Sequence, residues 1–487
     1  MFTEGKRLLR YLSIIFVFIL ALPLLLAAYV LVDFLPEPEP IPNGIKLVND
    51  VTQLNPIEVS KVISPKSTED IQHAISATKG KISIGGGRYS QGGQIALEDH
   101  LHLDMREFNQ VISFDPKAKE ITVQSGIRWR DIQDVIDPEN LSIKIMQSYS
   151  NFTVGGSLSV NVHGRYMGEG PIIRSVKSIK VVLADGSIVS ASPHENSEVF
   201  FGVIGGYGGL GVIAEATLEL VPNLKVGRET DYMTIEQYTS FFDQNVRNNP
   251  NVVFHNADIY PPDYTHVNSV SWVKTEKPLT VQEKLISRDK DYWWQPKAAK
   301  FVADTELGKW MRQHIFDPIQ YSSEAVQWRN YEASYDVREL EPKSRKDETY
   351  VLREYFVPID RFDSFSAKMS GIFKAHEVNV LNVSIRHALP DTGSLLAWAR
   401  EEVFAFVVYY RQGTSEQDKA EVRAWSREMI DAVISEGGAY YLPYQLHATT
   451  EQFHNAYPTA KEFFELKKKL DPSNRFSNKL WERHYGE

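Results

Sequence analysis

Cysteine is absent from all 487 residues of the chain. That absence excludes disulfides, thiolate metal centres, cysteine nucleophiles and cysteinyl links to a cofactor together. A metal site of another kind is not expected either. Basic charge is also short: 53 Lys and Arg stand against 63 Asp and Glu, a net charge of −10 at pH 7. A polyanionic backbone meets no complementary field on such a protein, so nucleic acid is not an expected partner. Repeats and low-complexity tracts are missing apart from one proline stretch. The rest is ordinary for a globular protein, with 43% hydrophobic and 24% charged residues. The length exceeds one usual domain and points to two or three.

One long apolar run breaks that average. Tyr11 to Val32 carries no charged residue. As a helix it would span about 33 Å, against a hydrocarbon core of ~30 Å. Pro23 would kink it, which membrane helices tolerate. Lys6, Arg7 and Arg10 precede the run, whereas Asp33, Glu37 and Glu39 follow it. By the positive-inside rule the expectation is a single-pass membrane anchor over 11–33. Residues 1–10 would then be cytoplasmic and the body periplasmic, lumenal or extracellular. The competing reading is a cleaved signal peptide, whose apolar core is usually shorter, roughly 7–15 residues. Residues 34–46, with Pro36, Pro38, Pro40 and Pro42, read as a stiff extended spacer.

Between Leu47 and Pro222 short strands alternate with helices. Ser67 and Asp70 mark a helix start, and Ile71, Ala74 and Ile75 follow at helical spacing. Lys81 to Ile84 reads as a strand and Ile121 to Val123 as another. A helix follows with Trp129, Ile132, Val135 and Ile136 on its apolar side. Asp185-Gly186 is a favoured turn pair, so Ser175 to Leu183 and Ile188-Val189 read as a hairpin. From Asn223 onward the chain is richer in aromatic and charged residues and has no glycine cluster. The predicted organisation is a first domain over 47–222, a second over 223–440 and a return segment over 441–487.

Three glycine clusters fall in the first domain. Gly206-Tyr207-Gly208-Gly209-Leu210-Gly211 has the G-x-G-x-x-G spacing of a dinucleotide fingerprint, which requires a helix after it. Instead Val212, Ala214, Ala216, Leu218 and Leu220 alternate with Glu215, Thr217 and Glu219. That is a strand, and it offers no helix N-terminus to a pyrophosphate. The second cluster, Gly85-Gly86-Gly87-Arg88-Tyr89-Ser90 and on to Gln94, follows a strand but lacks the Gly-Lys-Ser/Thr ending of a P-loop. Its main-chain N–H groups can still form an anion-binding nest. The third runs from Thr153 through Gly155, Gly156 and Ser159 to Val162-His163-Gly164-Arg165. Its small and hydroxyl residues let a flat ring or a diphosphate approach the backbone closely.

Taken in order, these clusters and the tail Leu470-Asp471-Pro472-Ser473-Asn474-Arg475-Phe476-Ser477-Asn478 resemble the vanillyl-alcohol-oxidase superfamily. These are the FAD-linked oxidoreductases with a PCMH-type FAD domain, and the chain is most similar to the aldonolactone-oxidase and decaprenylphosphoryl-ribose-oxidase branches. The resemblance covers residues 50–222 and resumes at the tail. It implies an α+β fold: a two-subdomain PCMH-type FAD-binding domain and an α+β substrate (cap) domain, preceded by the transmembrane helix. It also implies that Gly85, Gly86, Gly87, Arg88, Tyr89 and Ser90 cradle the FAD diphosphate, with Gln94 in the same loop. Gly155, Gly156, Ser159, His163 and Gly164 would line the flavin and ribityl region. Gly211 and Ile213 would touch the cofactor from the third element, and Tyr441 and Asn478 from the tail. For His163 the alternative is a buried histidine satisfied by backbone carbonyls, and for Asn478 a turn or cap.

Many members of the superfamily join the flavin to a histidine of the first loop. Arg88 stands at that place, and a guanidinium offers no ring nitrogen for the bond. The expected FAD is therefore non-covalent, with Arg88 paired to phosphate or solvated. In sugar and polyol oxidases of the family an acid and an arginine two residues apart on one strand line the substrate pocket. Arg386 matches, and Ser384 takes the place of the acid. Where a lysine often follows the flavin-side tyrosine, Tyr444 stands, able to donate a proton or, were its pKa depressed, to accept one. His447 is a second candidate base. The expected catalytic set is thus Arg386, Tyr444 and His447.

Val162 occupies the place where a small residue influences oxygen access in the lactone branch. Its bulk favours a dehydrogenase that passes electrons to a quinone or other carrier. The resemblance implies oxidation of a CH–OH group of a sugar, sugar lactone or polyol, free or lipid-linked. Two alternatives remain open. One is reduction of a lipid carbon–carbon double bond, which Trp293, Trp294, Trp310 and Trp328 would suit; the other is a binding module that kept the fold without catalysis.

Overall fold

Ser67 opens the first helix as its sequence predicts. Its hydroxyl accepts from the Asp70 N–H at 3.1 Å, and the Asp70 carboxylate accepts from the Ser67 N–H at 3.0 Å. This is the geometry in the computed structural model, which describes residues 46–292, 295–337 and 344–485. The apolar run over 11–33, the segment before it and nearly all of the proline spacer lie outside the described residues, as do Trp293 and Trp294. Among the described residues no helix is long and apolar enough to cross a membrane. The expected single-pass membrane location is corrected on that finding.

The first sheet has three parallel strands, β1 (Lys61–Ile63), β2 (Ile82–Gly85) and β3 (Leu101–Asp104), in the order β1-β3-β2. Helix α1 (Thr68–Ala77) crosses between β1 and β2 and buries Ile71, Ala74 and Ile75. A crossover of this kind is what parallel pairing requires.

The second sheet is antiparallel and six-stranded. Its strands are β4 (Val111–Asp115), β5 (Glu120–Gln124), β6 (Leu141–Ile143), β7 (Val176–Val182), β8 (Ile188–Ala191) and β9 (Val212–Pro222). They lie in the order β8-β7-β9-β5-β4, with β6 on the far end of β9. The predicted hairpin is β7 and β8, registered Val182 to Ile188 around Gly186 at φ +84°. On β9 the five alternating apolar residues are all buried, as period-two burial demands. Helix α2 (Trp129–Ile136) departs from its expected face: Val135 is 38% exposed. Gln133 takes the buried place because its Nε2 donates to the Ala333 carbonyl at 3.0 Å.

The third sheet has eight antiparallel strands: β10 (Lys225–Thr234), β11 (Val252–Ile259), β12 (His266–Lys274), β13 (Val326–Trp328), β14 (Glu348–Pro358), β15 (Val380–Ala388), β16 (Val403–Gly413) and β17 (Ala439–Tyr440). Their order is β13-β10-β12-β11-β15-β16-β14-β17. Side chains alternate between two faces. One face of β14 and β16 packs on α4 (Phe362–Ala375) and α5 (Glu416–Ser435), through ring contacts such as Tyr355 with Phe365 and Tyr410 with Trp425. The other face looks into a cavity.

The tail closes back on the first sheet. Ile82 N–H donates to the Arg475 carbonyl at 2.6 Å, and Phe476 bridges Ile82 in parallel. At the end of α6 (Ala460–Leu470) the fully buried Lys467 ammonium meets Asp471 at 3.0 Å. It also donates to the carbonyls of Gly209 and Phe476, both at 2.8 Å. One cation thus ties the Gly206–Gly211 cluster to the tail.

Candidate active site

A cavity of about 740 Å³ lies between the glycine loops and the open face of the large sheet. From the first loop Gly86, Gly87, Arg88, Tyr89, Ser90 and Gln94 line it. Gly155, Gly156, Ser159 and His163 follow from the segment around helix α3 (Val154–Ser159), Gly211 and Ile213 from the start of β9. Arg386, Tyr441 and Tyr444 complete the set of expected residues that the fold brings together.

Four expected residues lie elsewhere. Gly85 ends β2 against the buried His102 ring, and Gly164 sits so close to the Met146 carbonyl that an added Cβ would stand 2.2 Å from it. Asn478 caps α7 (Lys479–His484), accepting from Leu480 N–H at 3.0 Å and donating to the Tyr207 carbonyl at 2.8 Å. His447 faces away from the cavity, its Nδ1 2.5 Å from the Arg353 guanidinium. Burial and the arginines Arg353, Arg423, Arg483 and Arg427 hold its pKa far below the usual imidazole value. Such a ring stays neutral and reaches nothing in the cavity.

The first loop also builds the tail's end of the site. Gln94 Nε2 donates to the Leu442 and Tyr444 carbonyls at 2.7 and 2.8 Å, and Gln91 N–H donates to the Pro443 carbonyl at 2.6 Å. A side chain at Gly92 would place a Cβ 2.3 Å from the Tyr444 carbonyl, so only glycine permits this approach. Tyr441 and Tyr444 are thereby aimed inward, and the Tyr441 hydroxyl donates to the Val160 carbonyl at 2.7 Å. Arg88, at φ +64°, donates from Nη2 to Asp104 Oδ2 at 3.0 Å, so a protein carboxylate and not solvent is its partner.

At the centre stands a residue that the sequence pattern did not single out. Glu354 on β14 is buried, with Oε2 2.6 Å from His163 Nε2 and Oε1 accepting from the Tyr444 hydroxyl. Burial alone would raise its pKa, but His163, Arg386 and Tyr444 together hold it below the ordinary carboxylate range. The same burial, with Glu354 beside it, pushes the Tyr444 phenol well above its usual value. Tyr444 is therefore a proton donor to Glu354 and not a base in its own right. His163 is satisfied by a carboxylate, with the Gly164 carbonyl only at 3.4 Å.

Glu354 also shares a cross-strand row with Ser384, the residue at the acid's place on β15. Ser384 is registered with Val407 on β16, and Val407 with Glu354 on β14. The three form one row across the sheet, and all line the cavity. The signal for Glu354 was present in the sequence as a lone acid in Tyr350-Val351-Leu352-Arg353-Glu354-Tyr355-Phe356-Val357. A further pair was also missed: Arg165 bonds Glu332 at 2.7 Å, and both line the cavity wall. Among the aromatics proposed for a lipid, Trp310 is 52% exposed, and neither it nor Trp328 lines the cavity.

The cavity leaves polar groups for a ligand to satisfy. Among the described residues, Ser125 Oγ, Ser148 Oγ, Arg88 Nε and Arg386 Nε are buried without a hydrogen-bond partner, and all belong to lining residues. Donors distributed along a flat, glycine-floored cleft fit a dinucleotide with a planar ring. Comparison with known proteins agrees. Residues 59–192 match the family described as an FAD binding domain. The chain is 21% identical over 431 residues to an L-gulonolactone oxidase of Bos taurus, covering 86% of this chain and 93% of that one. It is 22% identical over 458 residues to the decaprenylphosphoryl-beta-D-ribose oxidase of Mycolicibacterium smegmatis, covering 87% and 94%. A putative D-arabinono-1,4-lactone oxidase of Neurospora crassa is 28% identical over 163 residues, 33% of this chain and 29% of that one.

This chain carries an FAD binding domain over residues 59–192 and is an FAD-linked oxidoreductase. Its cofactor is FAD, and its FAD-binding domain belongs to a mixed α/β fold. In this oxidoreductase the glycine loops and the serines form the floor. Glu354, His163, Tyr444 and Arg386 line its polar end.

Proposed function

We propose that the oxidoreductase oxidises a CH–OH group of a sugar, sugar lactone or polyol. The observation that carries this reading is the Tyr444–Glu354 hydrogen bond at the polar end of the cavity, with Arg386 beside it. Removing two electrons from such a carbon is chemistry that bound flavin supplies. The chain has to take the hydroxyl proton and hold the carbon in place. Arg386 orients the substrate hydroxyl through its free Nε. The hydroxyl proton passes to the Tyr444 oxygen as the Tyr444 proton passes to Glu354, leaving the carboxyl neutral. His163 keeps Glu354 oriented and ionised beforehand. The named relatives, oxidases of L-gulonolactone, D-arabinono-1,4-lactone and a phosphoryl-linked ribose, support the substrate class.

FAD is bound without a covalent link in this reading, because Arg88 stands at the attachment position and is engaged by Asp104. Val162, 3% exposed and in the cavity wall, supports a carrier such as a quinone as electron acceptor in preference to oxygen. The test is an anaerobic screen of the flavin-loaded protein against sugars, lactones and polyols, followed by loss of flavin absorbance. Bleaching by one of these supports the reading. Bleaching by NAD(P)H alone, with none of the hydroxyl compounds active, would overturn it in favour of a reductase.

A further inference from the structure

The cavity runs on well past the polar end formed by Glu354 and Tyr444. Its floor there is the open face of the large sheet, and the strand register gives its length. Glu354 on β14, Val407 on β16 and Ser384 on β15 stand in one row. Ala257 pairs with Ile385, which sets Asn256 of β11 beside Arg386. Asn256 is registered with Val270 on β12, and Trp272, two residues further on, with Arg228 on β10. Glu354, Ser384, Asn256, Val270, Trp272 and Arg228 all line the cavity. In the strand order β12 lies four places from β14. At ~4.8 Å per strand, Trp272 is about 19 Å from Glu354 across the sheet. A single sugar or lactone ring covers little more than one such spacing.

The far end of this trough is closed by specific bonds. Arg228 Nη2 donates to the Gln320 and Ser323 carbonyls at 2.9 and 2.8 Å, and its guanidinium lies over the Tyr321 ring at 5.1 Å. Arg312 donates to the Leu381 carbonyl at 2.8 Å and to Asn382 Oδ1 at 3.1 Å. Together they hold the helix Asp317–Ser322 and the turn before it against the sheet. Tyr321 of that helix and Val302 of the helix Gln295–Asp304 line the cavity from above.

Between the two ends the walls combine an aromatic face with hydrogen-bonding groups. Trp272 contributes its indole, which is 5% exposed. Asn256 Oδ1 accepts from Arg165 at 3.4 Å, while among the described residues Asn256 Nδ2 and Ser384 Oγ make no hydrogen bond. The bonded pair Arg165 and Glu332 adds a polar wall. An alkyl chain lying here would strip water from these groups and pair with none of them, which is unfavourable. A chain of sugar rings answers both features. Its C–H faces pack on the indole, and its hydroxyls both donate and accept, as amide and hydroxyl partners require.

We propose that the oxidoreductase takes a linear oligosaccharide, with the reacting sugar at Glu354 and the following rings along Asn256 and Trp272 towards Arg228. This rests on the reading of the polar end as the place where a CH–OH group is oxidised. Trp272 and Asn256 then determine specificity by chain length, and neither takes part in the oxidation.

Calorimetry on the flavin-loaded full chain tests this with gluco-, manno- and xylo-oligosaccharides of one to four units. In at least one series affinity should rise by about tenfold or more from one unit to three. Trp272→Ala and Asn256→Ala, each checked for retained flavin, should remove most of that gain. Trp272→Phe should keep most of it, because an apolar ring face remains. Affinity flat with length in every series overturns the proposal, as does an undiminished gain in folded Trp272→Ala and Asn256→Ala. Alkyl glucosides of increasing chain length run in parallel. Affinity that grows with the alkyl chain instead of with sugar units assigns the trough to an apolar tail and also overturns it. The two readings fail separately. Flavin bleached by single sugars whose longer forms bind no better keeps the oxidation and removes the oligosaccharide. Length-dependent binding without bleaching does the reverse.

Discussion

Glu354 Oε2 and His163 Nε2 stand 2.6 Å apart, joining the large sheet to the third glycine cluster across the cavity. Glu354 is held in its charged form by that contact and by Arg386, and it is the proton acceptor to which Tyr444 points. Replacing it by glutamine keeps the shape and removes the acceptor. Glu354→Gln should slow flavin reduction by about 10²–10⁴-fold under anaerobic single-turnover conditions. Tyr444→Phe should also slow it, and the double variant should be little slower than the worse single one, because the two act as a unit.

The flavin should come away from the protein on denaturation. Acid precipitation is expected to leave the yellow colour in the supernatant, since Arg88 cannot form the link that a histidine forms. Colour retained in the washed pellet would contradict the non-covalent reading.

Oxygen reactivity offers a third measurement. Val162 is buried in the cavity wall next to His163. Val162→Ala opens space there, and reoxidation of the reduced enzyme by air should quicken by about tenfold or more, against a substrate half-reaction changed far less. An unchanged rate would remove Val162 as the barrier.

Acid stability has a defined contributor outside the site. Glu402 is bonded by His387 at 2.6 Å and by Arg247, and these contacts lower its pKa from 4.5 to about 2. A carboxylate depressed on folding adds stability that is complete above the unfolded value and lost as pH falls through the folded one. Glu402→Gln should therefore lower Tm near pH 6. The gap to the parent protein should shrink between pH 4.5 and pH 2.

The Lys467–Asp471 pair is fully buried on both sides. Removing one partner leaves the other charge without water or a counter-ion, at a cost of about 3–5 kcal/mol. Asp471→Asn should show a loss of that size in denaturant melts. It should release flavin more readily as well, because Lys467 ties the Gly209 turn to the tail.

Much of this was legible in the chain itself, for physical reasons. The capping box at Ser67, the period-two run of β9 and the Asp185-Gly186 turn are local signals, and local structure followed them. The glycine loops were legible because close backbone approach excludes side chains. What could not be read was pairing between distant strands. Glu354 lies 191 residues from His163, and nothing in either neighbourhood announces the other. His447 shows the converse. Its sequence position beside Tyr444 suggested a shared role, yet three residues of loop sufficed to turn it to the far side of the sheet. Val135 failed for a similar reason, since a buried hydrogen bond gave Gln133 the inner position on a short helix.

The row formed by Ser384, Val407 and Glu354 has a wider bearing. On a pleated surface, a negative charge can migrate sideways from one strand to another two away while the chemistry beneath it keeps its counterpart. Motif searches confined to a single strand will then report a lost function that has only changed address.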